Sequence, residues 1–210
     1  IETCKIVAEC QKKYRWPEYI QCDTGKNNKA RVLDAARLVN GAIRLSGAVQ
    51  SLDEDVLKNV KRSNISADTL MQMAVEAAEI DADSRSDIIL GLPGESLKTH
   101  FETLKTVSNA GFSHVNTFQL MMLPGTELND PFTRKQYGMK TKFRVLPRCF
   151  GFYEVFNEKI ISAEIEEFCI TTDSLSFEDY LNSRKMHLLI HVYFNDGLFE
   201  TALKFLKNLN

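Results

Sequence analysis

No stretch of this chain is apolar for the roughly 20 residues that a membrane-spanning helix needs. No charged-then-apolar leader with a small-residue cleavage site opens it either, so the chain reads as cytoplasmic, with no membrane partner. A basic excess is missing as well. The 26 Lys and Arg stand against 28 Asp and Glu, a formal net charge of -2, and no nucleic acid is expected as an electrostatically captured partner. The five cysteines, Cys4, Cys10, Cys22, Cys149 and Cys169, are odd in number and scattered, which suits neither a disulfide framework nor a zinc site of the Cys-x2-Cys kind. They read as reduced thiols, and Cys149 as a buried structural one. His187 and His191 stand one helical turn apart but lack the Glu of a His-Glu-x-x-His site and any third ligand, so no metal is assigned. A Gly-x-Gly-x-x-Gly turn, a Walker loop and a Gly-x-Ser-x-Gly elbow are also missing. The chain opens at Ile1 without an initiator Met, which suggests a fragment or a processed product.

What is present is an ordinary globular composition, 44% hydrophobic and 26% charged, over 210 residues, enough for one core and an appendage. Apolar spacing predicts a helix over 2–14, ended by the Trp16-Pro17 step, then a short strand at 19–22 and a turn-rich loop at 23–28. A helix follows over about 28–40, a strand from Ile43 to Val49, and a helix near 53–60 behind a capping-box-like Ser51. A further helix runs from Ser66 to about Ile80. The buried strand Asp87–Leu90, a helix over 96–110 and a strand from Val115 to Met122 complete the pattern. Strands alternating with helices of this length argue for a parallel sheet.

The boundary falls near 130, giving 1–130 and a C-terminal extension over 131–210. Within the extension, 143–172 carries a Pro147 break and an aromatic cluster, Phe150, Phe152, Tyr153 and Phe156, and is expected to be a short strand or irregular segment packed on the sheet. Two amphipathic helices, 176–192 and 198–209, close the chain around the turn Asn195-Asp196-Gly197, the second with a core stripe of Phe199, Leu203 and Leu206.

Parallel α/β proteins bind ligands at the carboxyl ends of their strands. The residues at such ends are Asp23, Thr24, Lys26 and Asn27, then Gln50, then 87–95, then 121–127, with Arg62 placed to return to the same face. The run Asp87-Ile88-Ile89-Leu90 ends in Gly91-Leu92-Pro93-Gly94-Glu95, which reads as a strand delivering a tight loop and a carboxylate to a ligand.

Taken jointly, Gln50-Ser51-Leu52-Asp53, Lys61-Arg62, the segment 87–95 and Leu123-Pro124-Gly125-Thr126 resemble the radical S-adenosylmethionine (radical SAM) superfamily, and within it the cobalamin-binding branch. The resemblance covers about 16–155. It implies the C-terminal part of a partial (β/α)6 TIM-like barrel with parallel strands, followed by a mixed extension ending in helices. It implies SAM and a [4Fe–4S] cluster as cofactors, and leaves open whether cobalamin binds. The family's Cys-x3-Cys-x2-Cys cluster segment is not in this chain, and Cys4 and Cys10 do not replace it, so the ligands are expected upstream. Carried over residue by residue, Gln50 would bond the SAM ribose or amino acid, and Arg62 its carboxylate through a planar fork. Asp87 would bind ribose hydroxyls or order Arg62, Ile89 and Met121 would line the adenine pocket, and Asp23 is a second ribose acid. Lys26 and Asn27 would meet substrate or SAM. The substrate is a small molecule, reached through hydrogen abstraction or methyl transfer, with a flavodoxin or ferredoxin as reductant, and the residues assign no catalytic group.

Two readings of other classes stay open. One is a catalytically incomplete barrel acting as a binding or scaffold protein, since the cluster motif is missing. The other is an aldolase-like barrel lyase with Lys26 as a Schiff-base amine of lowered pKa. A barrel short of two strands would also leave an open sheet edge unless the tail covers it.

Overall fold

The computed structural model describes residues 1–22, 29–63, 67–79 and 82–209. Its elements in chain order are α1 (Glu2–Tyr14), α2 (Lys29–Leu38), β1 (Leu45–Ser46), α3 (Glu54–Asn59), α4 (Ala67–Glu79), β2 (Ser84–Leu90), α5 (Leu97–Asn109) and β3 (His114–Gln119). There follow α6 (Pro131–Gln136), β4 (Lys140–Val155), β5 (Glu158–Thr171), α7 (Phe177–Leu189), which runs into a π-helical turn at Ile190–Asn195, and α8 (Glu200–Lys207). The molecule is mixed α/β, and β1, β2 and β3 form a parallel sheet in that order. Single parallel bridges, Ile20 to Ile43 and Gln50 to Ile88, prolong the sheet at β1. The strands expected over 19–22 and 43–49 are therefore shorter than their apolar runs, because each finds only one or two ladder partners.

β2 alternates strictly. Ser86, Ile88 and Leu90 are buried, while Arg85, Asp87 and Ile89 are half-buried on the other face. The buried side joins Val49, Ile88 and Val115 to Leu104, Val107, Ala110 and Phe112 on or just after α5 and to Ala74 of α4. α5 starts at a reciprocal Ser96–Thr99 capping box and presents His100, Thr103, Leu104 and Val107 inward. Gly111, at φ +91°, ends that helix and turns the chain into β3.

The extension departs from the sequence expectation. Residues 140–171 form a long antiparallel hairpin rather than a short or irregular piece. Val145 faces Ile165 and the next pair is Phe150 with Ala163, so 146–149 bulge around Pro147 without ending the strand. The hairpin turns at Phe156-Asn157, both with positive φ as a type I′ turn requires. Its aromatic cluster is not packed on the sheet. Phe143, Val145, Phe150, Phe152, Ile161 and Ile165 share one hairpin face and are exposed. Phe199, Leu203 and Leu206 of the tail are exposed too, so the expected core stripe is absent from the core.

The end of β5 joins the main fold, where Cys169 donates its N–H to Leu120 O and Met122 donates to Glu167 O. On its other side β3 meets the π-helical turn. The Asn195 side chain accepts from Val115 N–H at 2.9 Å and donates to Val115 O at 3.0 Å, pairing an edge residue as a strand would. The tail thus covers this edge with one amide. Asn195→Ala removes both bonds and should destabilise the protein by about 1–3 kcal/mol. The check is urea denaturation with amide exchange at 114–119, where protection should fall before that of β2.

Candidate functional site

The half-buried face of β2 and β3 carries Asp87, Ile89 and Asn116, and Gln50 stands at the strand end beside them, bridged to Ile88. Gln50 is fixed by backbone bonds: its N–H donates to Asp87 O at 2.8 Å, and its carbonyl accepts from Ile89 N–H at 2.9 Å. It sits at φ +62°, a left-handed conformation that costs a residue with a Cβ about 1–2 kcal/mol. The turn sends the chain directly into α3, whose cap is Asp53 Oδ1 accepting from Val56 N–H at 2.9 Å. After α3 the chain doubles back, and Arg62 donates from Nη2 to Ala48 O at 3.1 Å, two residues before Gln50. Burial holds the Arg62 guanidinium below its ordinary pKa. Asp87 Oδ1 accepts from Asn116 Nδ2 at 2.9 Å, across the β2–β3 register that pairs the two residues.

Ile89 packs against Val56, Leu92, Leu120, Met122 and Cys169. Met121 is exposed and bridges to Phe168 of the hairpin. Gln50, Arg62, Asp87 and Ile89 therefore meet around the strand ends, and Met121 lies beyond them at the start of the crossing to β5. Asp23, Lys26 and Asn27 lie outside the described residues. Cys4 and Cys10 are both on α1 and half-buried, Cys149 is half-buried on the bulge of β4, and burial pushes the Cys169 thiol up to about 11. Among the described residues no three His, Cys, Asp or Glu side chains converge as a metal site.

The loop after β2 corrects one expectation. Glu95 is not offered to a ligand; it is wholly buried and turned back into the fold. Oε2 accepts from Gly91 N–H at 2.7 Å, and Oε1 lies 2.8 Å from His100 Nδ1. His100 Nε2 is 2.7 Å from His187 Nε2, and Arg184 Nη1 is 3.2 Å from His187 Nδ1. The partners fix the protons. With Glu95 accepting at both oxygens, His100 donates from Nδ1 and accepts at Nε2, so His187 donates from Nε2 and accepts from Arg184 at Nδ1. A one-way chain thus runs Arg184 to His187 to His100 to Glu95. Burial first, then the neighbouring His100 and Arg184, lower the His187 pKa to about 3, which keeps it neutral. The loop is clamped from α3 as well: Asn59 Nδ2 donates to Pro93 O at 3.0 Å, and a Cβ on Gly94 would stand 2.6 Å from that nitrogen. The chain joins α5 to α7, residues far apart in sequence, and the one local hint was Glu95 and His100 on either side of a helix start.

With this geometry in place the chain can be compared with known proteins. No family model matches it. Over 145 residues, 67% of this chain and 21% of its relative, it is 28% identical to the cobalamin-dependent radical SAM methyltransferase TokK of Streptomyces tokunonensis. Over these residues the chain is similar to radical SAM proteins. It is also 26% identical to the 2-(S-pantetheinyl)-carbapenam-3-carboxylate methyltransferase of Streptantibioticus cattleyicolor, again over 67% of this chain and 21% of that protein. It is 38% identical over 101 residues to the tRNA-2-methylthio-N(6)-dimethylallyladenosine synthase of Corynebacterium diphtheriae, covering 47% of this chain and 20% of that protein. The chain spans about a fifth of the length of these relatives.

The histidine chain makes a pH prediction. An unfolded histidine titrates near 6.5 and His187 in the fold near 3, so between those values the unfolded state holds one more proton. Stability is then lost as pH falls through that window, at up to about 1.4 kcal/mol per pH unit from this group. His187→Gln keeps a donor and an acceptor without a titrating ring. Denaturation curves from pH 7 to 4 should be shallower for the variant by about that slope.

Proposed function

We propose that this chain supplies the SAM-binding strand ends of a partial (β/α)6 barrel in a radical SAM enzyme acting on a small-molecule substrate by hydrogen abstraction or methyl transfer. The observation that carries the reading is the backbone pairing of Gln50 between Asp87 and Ile89, which sets an amide, a carboxylate and an apolar side chain at one strand end. In this reading Asp87, oriented by Asn116, accepts from the ribose hydroxyls, and Gln50 offers both donor and acceptor to the ribose or amino-acid part. Arg62, tethered to Ala48 O, meets the SAM carboxylate with its guanidinium. Ile89 and Met121 flank the adenine, and the family resemblance assigns Asp23 to the ribose and Lys26 and Asn27 to substrate or SAM.

The iron–sulfur cluster does not fit the residues described here, since no three of their thiols, imidazoles and carboxylates converge. In the superfamily the cluster supplies the electron that cleaves SAM; its ligands, and those of any cobalamin, would come from outside these 210 residues. A flavodoxin or ferredoxin would be the electron donor. The absence of a cluster site among the described residues equally favours a second reading, a barrel that binds a partner without catalysis.

Calorimetric titration of SAM into the full-length protein carrying this chain separates the two. Asp87→Ala and Arg62→Lys should each weaken SAM binding about tenfold, the lysine keeping the charge but not the fork. Unchanged affinity in both variants would remove these residues from the site. No SAM binding by the iron-loaded wild type would leave the non-catalytic reading standing.

A further inference from the structure

Beside β3 lies a cavity of about 300 Å³ lined by Val115, Asn116, Thr117, Phe118, Arg184, His187, Leu188, His191 and Asn195. Among the described residues no carboxylate lines it. Asp196 lies 3.9 Å from His191 and is largely exposed, and Asp87 is engaged by Asn116. Arg184 is half-buried there and makes no ion pair among the described residues; it donates a hydrogen bond to His187 Nδ1, a neutral acceptor. The hydrogen-bond chain through His100 to Glu95 anchors that acceptor, so the guanidinium is oriented in advance while its charge is left uncompensated. Asn195 is held by both its amide atoms on Val115, which makes this wall rigid. Phe118 and Leu188, both exposed, add apolar surface beside the cation.

We propose that this cavity is a second ligand site, holding the carboxylate of a small organic acid on Arg184 with its apolar body against Phe118 and Leu188. A planar carboxylate matches the guanidinium fork and cancels its single charge. A phosphate carries up to twice that charge and would leave the excess against a neutral His187. The site shares Asn116 with the strand-end face but does not depend on SAM being bound there.

The test uses 4-fluorobenzoate as the probe, observed by fluorine NMR with the full-length protein, and 4-fluorobenzamide as its neutral counterpart. The benzoate signal should broaden and the benzamide signal should not. Arg184→Gln should weaken benzoate binding about tenfold. Leu188 is on the exposed rim, so Leu188→Asp and Leu188→Lys leave the fold intact; the first should weaken and the second strengthen benzoate binding. Should Arg184→Gln fail to fold, this pair decides. Equal binding of the benzamide, displacement of the probe by inorganic phosphate more readily than by acetate, or indifference to both Leu188 changes would overturn the proposal. SAM titration of the same samples reports separately on the strand-end face, so the two failures are distinguishable.

Discussion

A carboxylate with no access to solvent sits at the centre of this molecule, and much of the arrangement around it follows from having to satisfy it. Glu95 has two oxygens to provide for, and an uncompensated buried charge would cost several kcal/mol. One oxygen takes the N–H of Gly91, closing the loop after β2 on itself; the other takes His100 on α5. His100 in turn needs a donor at its second nitrogen, which only α7 supplies through His187. Loop, α5 and α7 are thereby tied by hydrogen bonds of fixed direction, and Ser174 adds a bond from its hydroxyl to the Glu95 carbonyl at 2.7 Å.

That tie has consequences on both sides of the sheet. It fixes the exit of β2, so that Asp87 and Ile89 keep the register in which Gln50 bonds between them and Asn116 reaches the Asp87 carboxylate. On the far side it fixes α7 against β3, leaving the Arg184 cavity and bringing Asn195 to the strand edge. The π-helical turn that follows α7 matters here, since its wider backbone path sets Asn195 facing Val115. Polar contacts serve where an apolar interface would be expected: the buried positions of α7 are Tyr180, Ser183 and His187.

This choice of buried residues explains which parts were legible. β2, α5 and β3 were readable because their apolar positions follow the period of the element, and residues at the strand ends could be picked out by their place after such runs. The hairpin over 140–171 was not, because Pro147 falls inside it and its turn is Phe-Asn rather than Asn-Gly. Its alternation of faces exists, yet the apolar face is exposed and so resembles no buried strand. α8 misled in the opposite direction, offering an apolar stripe that meets little of the fold.

Local chemistry in the chain sufficed for the alternation of strands and helices, for the loop at 91–95 with its glycines, and for the resemblance to the radical SAM superfamily, since these depend on residues close in sequence. Where Glu95 points could not be read that way. A glutamate after a strand can face a ligand or the interior, and the difference rests on His100 and on His187, 87 residues beyond His100, which only packing of α5 against α7 brings within 2.7 Å of each other. The same holds for the Arg184 cavity and the Asn195 edge pairing: each depends on where a distant helix comes to rest, a matter of long-range packing and not of local pattern.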